Sequence, residues 1–202
     1  MHHRESDAAD ATWRTSTPND LMEWLAALTV PWWIAGGWAL DLFVGQVTRA
    51  HADMDVGILR QDALNACAAL SEWEFYEATG GALTRLVTGH MPHAGVNSLW
   101  CRRLGESQWG FELMLDDCAE DRWVFRRDPA IQRALNIAIR RSPDGIPYLA
   151  PEIQLLYKAK ATRTKDRIDF DEVAGRLDGG ARAWLRASIA RMDPSHAWLL
   201  LL

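Results

Sequence analysis

Residues 36–59 read GGWALDLFVGQVTRAHADMDVGIL, and this stretch decides the fold. The apolar PWWIA of residues 31–35 predicts a short buried strand that ends at Gly36-Gly37. GGWALDLFVG then has the length of a short helix, with Trp38, Leu42 and Phe43 near one side. QVTRAHA reads as an irregular connection, and DMDVGIL as a second strand. Asp53 and Asp55 are two apart on that expected strand, so alternation sends both carboxylates to one face. Two like charges so close resist joint ionisation unless a cation joins them. Hard oxygen ligands suit Mg²⁺, which prefers a few carboxylates plus substrate phosphates to a full protein cage. The glycines suit the same ligand. Backbone without a Cβ can approach a phosphate closely, and a helix N-terminus favours negative charge. Glycines for phosphate and carboxylates for Mg²⁺ together point to a nucleoside triphosphate.

A third carboxylate on a neighbouring strand would complete such a site. QWGFELMLDD pairs naturally with SLWCRR across the turn LGES. Phe111, Leu113 and Leu115 share one face of that strand, while Glu112, Met114 and Asp116 share the other. Glu112 is therefore the candidate. Asp116 and Asp117, at the expected strand end, are read as turn residues.

The remaining sequence bounds the architecture. The 202 residues suit one medium domain or two small packed parts, with 49% hydrophobic and 24% charged residues, as in an ordinary globular protein. The net charge of −5 argues against nonspecific binding to nucleic acid or anionic membrane. Three cysteines without C-x-x-C spacing indicate neither a disulfide framework nor a zinc site. There is no apolar run of about 20 residues to span a membrane, nor the apolar core of a secretory leader, so a reducing cytoplasm is the expected compartment. Residues 1–17 are expected to be mobile. TPNDLMEWLAAL begins a helix capped by Thr17 or Asn19. RQDALNACAALSEW is the next helix, and EFYEAT and ALTRLVT are strands. DPAIQRALNIAI looks helical, RRSPDGIPYLAP is a turn-rich connection, and PEIQLLYKAKAT, TKDRIDFDEVAGRL and ARAWLRASIARM are helices. The fold class is thus α+β: a mixed sheet flanked by helices over 1–128, then a helical part over 129–202. The apolar tail Trp198–Leu202 is expected to pack back on the helices. Most of the 11 tryptophans are expected in the core, with a stacking pocket as the sharper role for some.

IAGGWALDLFVGQVTRAHADMDV resembles the active-site core of the DNA polymerase β-type nucleotidyltransferase superfamily, whose signature is G-[GS] on a helical turn followed by D-h-[DE]-h on the next strand. It looks like the branch that modifies aminoglycosides and lincosamides, and the resemblance covers most of residues 31–178. The resemblance implies an active site in a cleft between the sheet and the helical part. It implies that Asp53 and Asp55 bind the metal, that Glu112 is the third carboxylate, and that Gly36 and Gly37 face the nucleotide. Arg49, Lys158 and Lys165 are candidates for triphosphate contacts. Arg49 is equally suited to a loop salt bridge, and Asp166 and Asp169 to capping or pairing with arginine. His51 is read as an orienting hydrogen-bond partner, since Mg²⁺ prefers oxygen, and Asp41 as structural. Arg126 and Arg127 suit either the cleft or a salt bridge.

The implied reaction is Mg²⁺-dependent transfer of a nucleoside monophosphate, AMP from ATP, to a hydroxyl of a small molecule, with Glu112 binding a second metal or taking the hydroxyl proton. A polycationic aminoglycoside would want an acidic cleft, which Glu77, Asp116, Asp117 and Glu120 could supply. A lincosamide or another neutral hydroxylated molecule suits the tryptophans better. The alternative is an antitoxin-like or regulatory relative that modifies or binds a protein partner. Neither nucleic acid nor membrane is expected as a partner.

Overall fold

The computed structural model describes residues 12–202 and the backbone of Arg4–Glu5. Its centre is a mixed sheet, 11-stranded among the described residues. The strands are β1 (Arg4–Glu5), β2 (Trp32–Ile34), β3 (Asp55–Leu59), β4 (Trp73–Thr79), β5 (Ala82–Arg85), β6 (Ser98–Arg103), β7 (Phe111–Ala119), β8 (Arg122–Val124), β9 (Gln132–Ala134), β10 (Ile139–Arg141) and β11 (Pro147–Leu149). The helices are α1 (Pro18–Trp24), α2 (Gly36–Val44), α3 (Ala63–Ala69), α4 (Leu135–Ala138), α5 (Pro151–Lys158), α6 (Thr164–Val173) and α7 (Gly179–Met192). The spatial order is β1-β5-β4-β6-β7-β3-β2-β11-β10, with β8 joining β7 to β9. Pairs β3/β7 and β11/β2 run parallel and the rest antiparallel.

The motif stretch folds as its pattern dictates. Trp33 and Ile34 bury β2, the glycine pair starts α2, and Val56, Ile58 and Leu59 bury β3. Thr17 caps α1 through a capping box with Asp20, and Pro18 occupies its first turn. In α2 the core takes Ala39 and Leu40, while Trp38, Leu42 and Phe43, read as lying near one side, are partly buried and pack against it. The hairpin β6–β7 forms as expected, placing Glu112 opposite Trp100.

Two stretches depart from expectation. Residues 128–139, expected as a helix, do not make one. They make β9, the single turn of α4 and the first residue of β10. Residues 139–149 then form the antiparallel hairpin β10–β11, which joins the sheet through the parallel pair Tyr148↔Ile34. The helical run begins at Pro151, so the sheet extends past residue 128. The second departure is at the start of the chain. The expected mobility of residues 1–17 falls in part on residues 1–3 and 6–11, outside the described residues. Thr12 and Arg14, however, bond to both backbone groups of Trp109 (Trp109 N to Thr12 O 3.0 Å, Arg14 N to Trp109 O 2.8 Å), and the Trp13 ring meets Trp100 edge-on. Trp198 stacks on Phe170 in the core, as expected of the tail, but Leu200 is 90% exposed.

Candidate active site

The C-terminal end of β2, the N-terminus of α2 and the first residues of β3 and β7 open into one cleft of about 490 Å³. Parallel pairing sets Asp55 of β3 level with Glu112 of β7. Asp53 lies in the bend just before β3 rather than on the strand, yet it lines the same cleft. Met114 and Asp116 continue the cleft face of β7, as alternation requires.

The glycines have a role that sequence reasoning did not give them. Gly36 has φ of +65°, and a Cβ there would lie 2.1 Å from Asp55 Oδ2. A Cβ on Gly37 would lie 2.4 Å from the His51 ring. The pair therefore lets the Asp53–Asp55 segment and its preceding loop close against the start of α2. Gly36 N–H donates to the buried Gln154 Oε1 at 2.9 Å, which ties α2 to α5. Gln154 lines the cleft and was missed in the sequence, where nothing local marks a contact 118 residues away.

The loop before Asp53 is held by buried Asp41. Its carboxylate accepts from Thr48 Oγ1 (2.6 Å) and lies 2.5 Å from His51 Nε2, so the structural reading of Asp41 and the orienting reading of His51 both hold. Arg49 makes a two-point ion pair with Asp169 of α6 (Nε–Oδ1 2.8 Å, Nη2–Oδ2 2.9 Å) while still lining the cleft. Lys158, almost wholly buried, reaches Asp169 at 2.7 Å and Asp166 at 3.4 Å, and Arg163 pairs with Asp166 at 2.8 Å. Three cations thus share two buried carboxylates beside the glycine turn. Burial works against ionisation at both aspartates, yet Arg49 and Lys158 hold the Asp169 carboxyl below the usual carboxylate range, and Arg163 and Lys158 do the same for Asp166. Exposed Lys165 lines the same side of the cleft.

At the carboxylate end, Lys158, Lys165 and Arg126 offset burial and the mutual repulsion of the carboxylates only in part. Burial first, then Glu112 and Asp53, push the Asp55 carboxyl up to about 7. Burial, with Asp53 adding to it, also raises Glu112. A cation placed there would relieve all three. Among the described residues no group of three or more His, Cys, Asp or Glu side chains could hold a metal unaided. The donor set fits the kind of Mg²⁺ site that relies on substrate oxygens to complete its shell.

Farther along β7, Asp116 is not a turn residue, because the strand runs on to Ala119. It is buried in the cleft wall, accepts from Tyr157 Oη at 3.1 Å, and is pushed up to about 6 by burial. Asp117 points elsewhere, to Arg60 at 2.7 Å. Glu77 is buried against His93, and neither it nor Glu120 lines the cleft. No tryptophan lines the cleft among the described residues; its aromatic wall is Tyr157, with Arg126 and Arg127 over the ring at 5.1 and 5.5 Å.

A glycine-started helix, aspartates just before and at the first residue of the following strand, and a carboxylate on its parallel neighbour are the arrangement of a nucleotidyltransferase. The comparisons agree. Residues 19–173 match the family model of aminoglycoside-2''-adenylyltransferase, and the chain belongs to that family. Among solved structures, ANT(2'')-Ia in complex with adenylyl-2''-tobramycin is similar with a TM-score of 0.59 at 17% identity, over 88% of this chain and 99% of that one. A solution structure of the antibiotic-resistance factor ANT(2'')-Ia is similar with a TM-score of 0.56 at 16% identity, over 88% and 93%. At these identities the likeness shows the fold. No curated protein matches in sequence. Among the described residues no helix is long and apolar enough to cross a membrane.

Proposed function

We propose that this enzyme transfers AMP from ATP to a hydroxyl of a small molecule, with Mg²⁺ as the metal. The observation that carries the reading is the convergence of Asp53, Asp55 and Glu112 opposite the Gly36–Gly37 turn, with Lys158 and Lys165 in the same cleft. Asp53 and Asp55 would hold the metal, which supplies charge neutralisation for the triphosphate and the departing pyrophosphate. The N-terminus of α2 faces the phosphates with its backbone N–H groups. Lys158, preset by Asp166 and Asp169, and exposed Lys165 offset the remaining negative charge. Glu112, raised by burial, takes the proton of the acceptor hydroxyl. The acceptor oxygen forms its bond to the α-phosphorus as the bond to the bridging oxygen breaks. Pyrophosphate leaves with that electron pair. Positioning and electrostatics supply most of the catalysis.

In this reading residues up to 128 carry the carboxylates and the glycines, and helices α5 and α6, which follow the last strand, contribute Gln154, Lys158 and Lys165. A cytoplasmic setting supplies ATP and suits the three cysteines, all free. The matching family and the fold neighbour bound to adenylyl-2''-tobramycin favour a small antibiotic-like acceptor over a protein acceptor.

The test is incubation with α-labelled ATP and Mg²⁺ against hydroxylated small molecules, reading pyrophosphate release and the mass gain of AMP. Asp53→Asn should abolish release while leaving the thermal transition in place. Release retained in that variant would refute the metal assignment.

A further inference from the structure

The cleft continues past the reacting carboxylates. Lys158 and Lys165 adjoin the glycine turn, where the triphosphate belongs, and in-line attack brings the acceptor in from the far side of the α-phosphorus. On that side the cleft face of β7 runs Glu112, Met114, Asp116. Asp53, Asp55 and Glu112 are committed to the metal and the reacting hydroxyl. Among the described residues Asp116 is the one further carboxylate that lines the cleft. The other acidic side chains that the sequence offered for a cationic acceptor, Glu77, Asp117 and Glu120, lie elsewhere.

Asp116 is fixed in the wall. Tyr157 Oη donates to its Oδ1 at 3.1 Å. Burial pushes its carboxyl up to about 6, against the pull of the Tyr157 hydrogen bond and the Arg126 charge. A ligand cation arriving from the cleft favours the ionised form as Arg126 does, in a setting where water screens little. The adjacent arginines are already engaged. Arg126 acts favourably on both Glu112 and Asp116 and lies over the Tyr157 ring at 5.1 Å. Arg127 Nη1 donates to the Tyr157 carbonyl at 3.2 Å.

Spacing adds a length. Asp116 lies four residues farther along β7 than Glu112, about 13 Å at the rise of a strand. Uncharged Met114 stands between them on the same face and suits the apolar face of a sugar ring. The span exceeds one sugar ring, so a hydroxyl at Glu112 and a cation at Asp116 belong to different rings of one molecule.

We propose that Asp116 determines acceptor specificity by binding an ammonium group on a ring other than the one that carries the reacting hydroxyl. The ammonium donates to the Asp116 carboxylate and to Tyr157 Oη, whose lone pairs accept. The inference rests on the nucleotidyl-transfer reading, and binding measurements separate the two. The full-length protein is first saturated with Mg²⁺ and the α,β-methylene analogue of ATP, from which pyrophosphate cannot leave. Failure of that analogue to bind refutes the nucleotidyl-transfer reading itself. The loaded protein is then titrated calorimetrically with tobramycin and with fully N-acetylated tobramycin, which keeps the rings and hydroxyls but carries no ammonium.

Asp116→Asn keeps the acceptor for Tyr157 and removes a charge that burial disfavours, so the fold is retained. The variant should bind tobramycin at least about tenfold more weakly than the parent. It should bind the ATP analogue within about twofold of the parent, and the N-acetylated compound no more weakly than the parent does. Tobramycin that fails to bind the loaded parent, or binds the variant within about threefold of the parent, overturns the proposal. So does an equal loss for the N-acetylated compound, which would make Asp116 a shaper of the cleft wall rather than a partner for charge.

Discussion

Gly36 and Asp55 occupy the same space. The Asp55 carboxylate lies where a Cβ on Gly36 would be, with 2.1 Å between that position and Oδ2, and Gly36 adopts φ of +65°. Any side chain at 36 must strain the left-handed backbone and displace the carboxylate together. Gly36→Ala should lower stability by about 1–2 kcal/mol from the backbone conformation alone. It should also cut pyrophosphate release far more than stability explains, because Asp55 is pushed off its position. Thermal unfolding and release measured on the same sample check this. Activity within about threefold of the parent would show that Asp55 has room to spare.

The pH dependence of stability follows from the same aspartate. Folding raises the Asp55 carboxyl from the ordinary 3.8 to about 7, so the folded state holds a proton that the unfolded chain releases. Without nucleotide and metal, the Asp55 contribution is harmless in acid and turns destabilising as pH rises through that window. Above about 7 the penalty is complete. Asp116 and Glu112 act in the same sense, whereas Asp166 and Asp169, held low, act in the opposite sense. Comparison with Asp55→Asn isolates the one group. The variant should gain melting temperature relative to the parent between about pH 4 and pH 7, and the gain should level off above. A difference independent of pH would show that Asp55 titrates normally.

The half-site at Gly36, Gly37, Asp53 and Asp55 was legible because its signals are local. A strand, a glycine turn, a helix and a second strand follow one another, and each carries its own periodicity. Glu112 was legible because Phe111, Leu113 and Leu115 alternate with it. What the sequence hid depends on distant contacts. Gln154 reads as one more residue of an amphipathic helix, and its role exists only because α5 meets Gly36. Asp116 looked like a turn residue because Asp117 follows it, whereas β7 is extended by pairing with the short strand β8. Ile131, Leu135 and Ala138 recur at helical spacing, so β9 and the first residue of β10 were read as helix, and the rest of β10 with β11 as a turn-rich connection. The strand state of β9 and β10 is imposed by pairing with β8 and β11, since neither is long enough to declare itself.

The Arg49–Asp169 pair joins the catalytic loop to α6, and Lys158 shares its carboxylate. Asp169→Asn leaves two cations without their full counter-charge in a buried setting, a change that costs about 3 kcal/mol where such pairs have been broken. Urea unfolding should show that loss. In addition, the KM for ATP should rise, because Lys158 is no longer held toward the cleft. Arg49→Lys keeps the charge but cannot make the two-point contact, so its effect should be smaller in both measurements. Equal losses from both substitutions would mean that guanidinium geometry matters more than the charge on Asp169.

Glu152 provides the contrasting case. It is fully buried in the first turn of α5, where a negative charge is favourable. It accepts from Arg133 at 2.8 Å and from Arg140 at 3.3–3.4 Å, one arginine from β9 and one from β10. This triad fastens the strands after residue 130 to the helix that carries Gln154, Tyr157 and Lys158, yet it does not line the cleft. Glu152→Gln retains the shape but removes the carboxylate shared by Arg133 and Arg140, leaving Arg140 only the longer contact to exposed Asp178 at 3.9 Å, so unfolding free energy should fall by about 3 kcal/mol. Gln154 still anchors α5 to Gly36 independently. Well below the melting temperature the variant should therefore keep kcat and the KM for ATP within about threefold of the parent. A tenfold fall in kcat in a fully folded sample would mean that the arginine clamp, rather than the Gln154 bond, sets the register of α5 against the glycine turn.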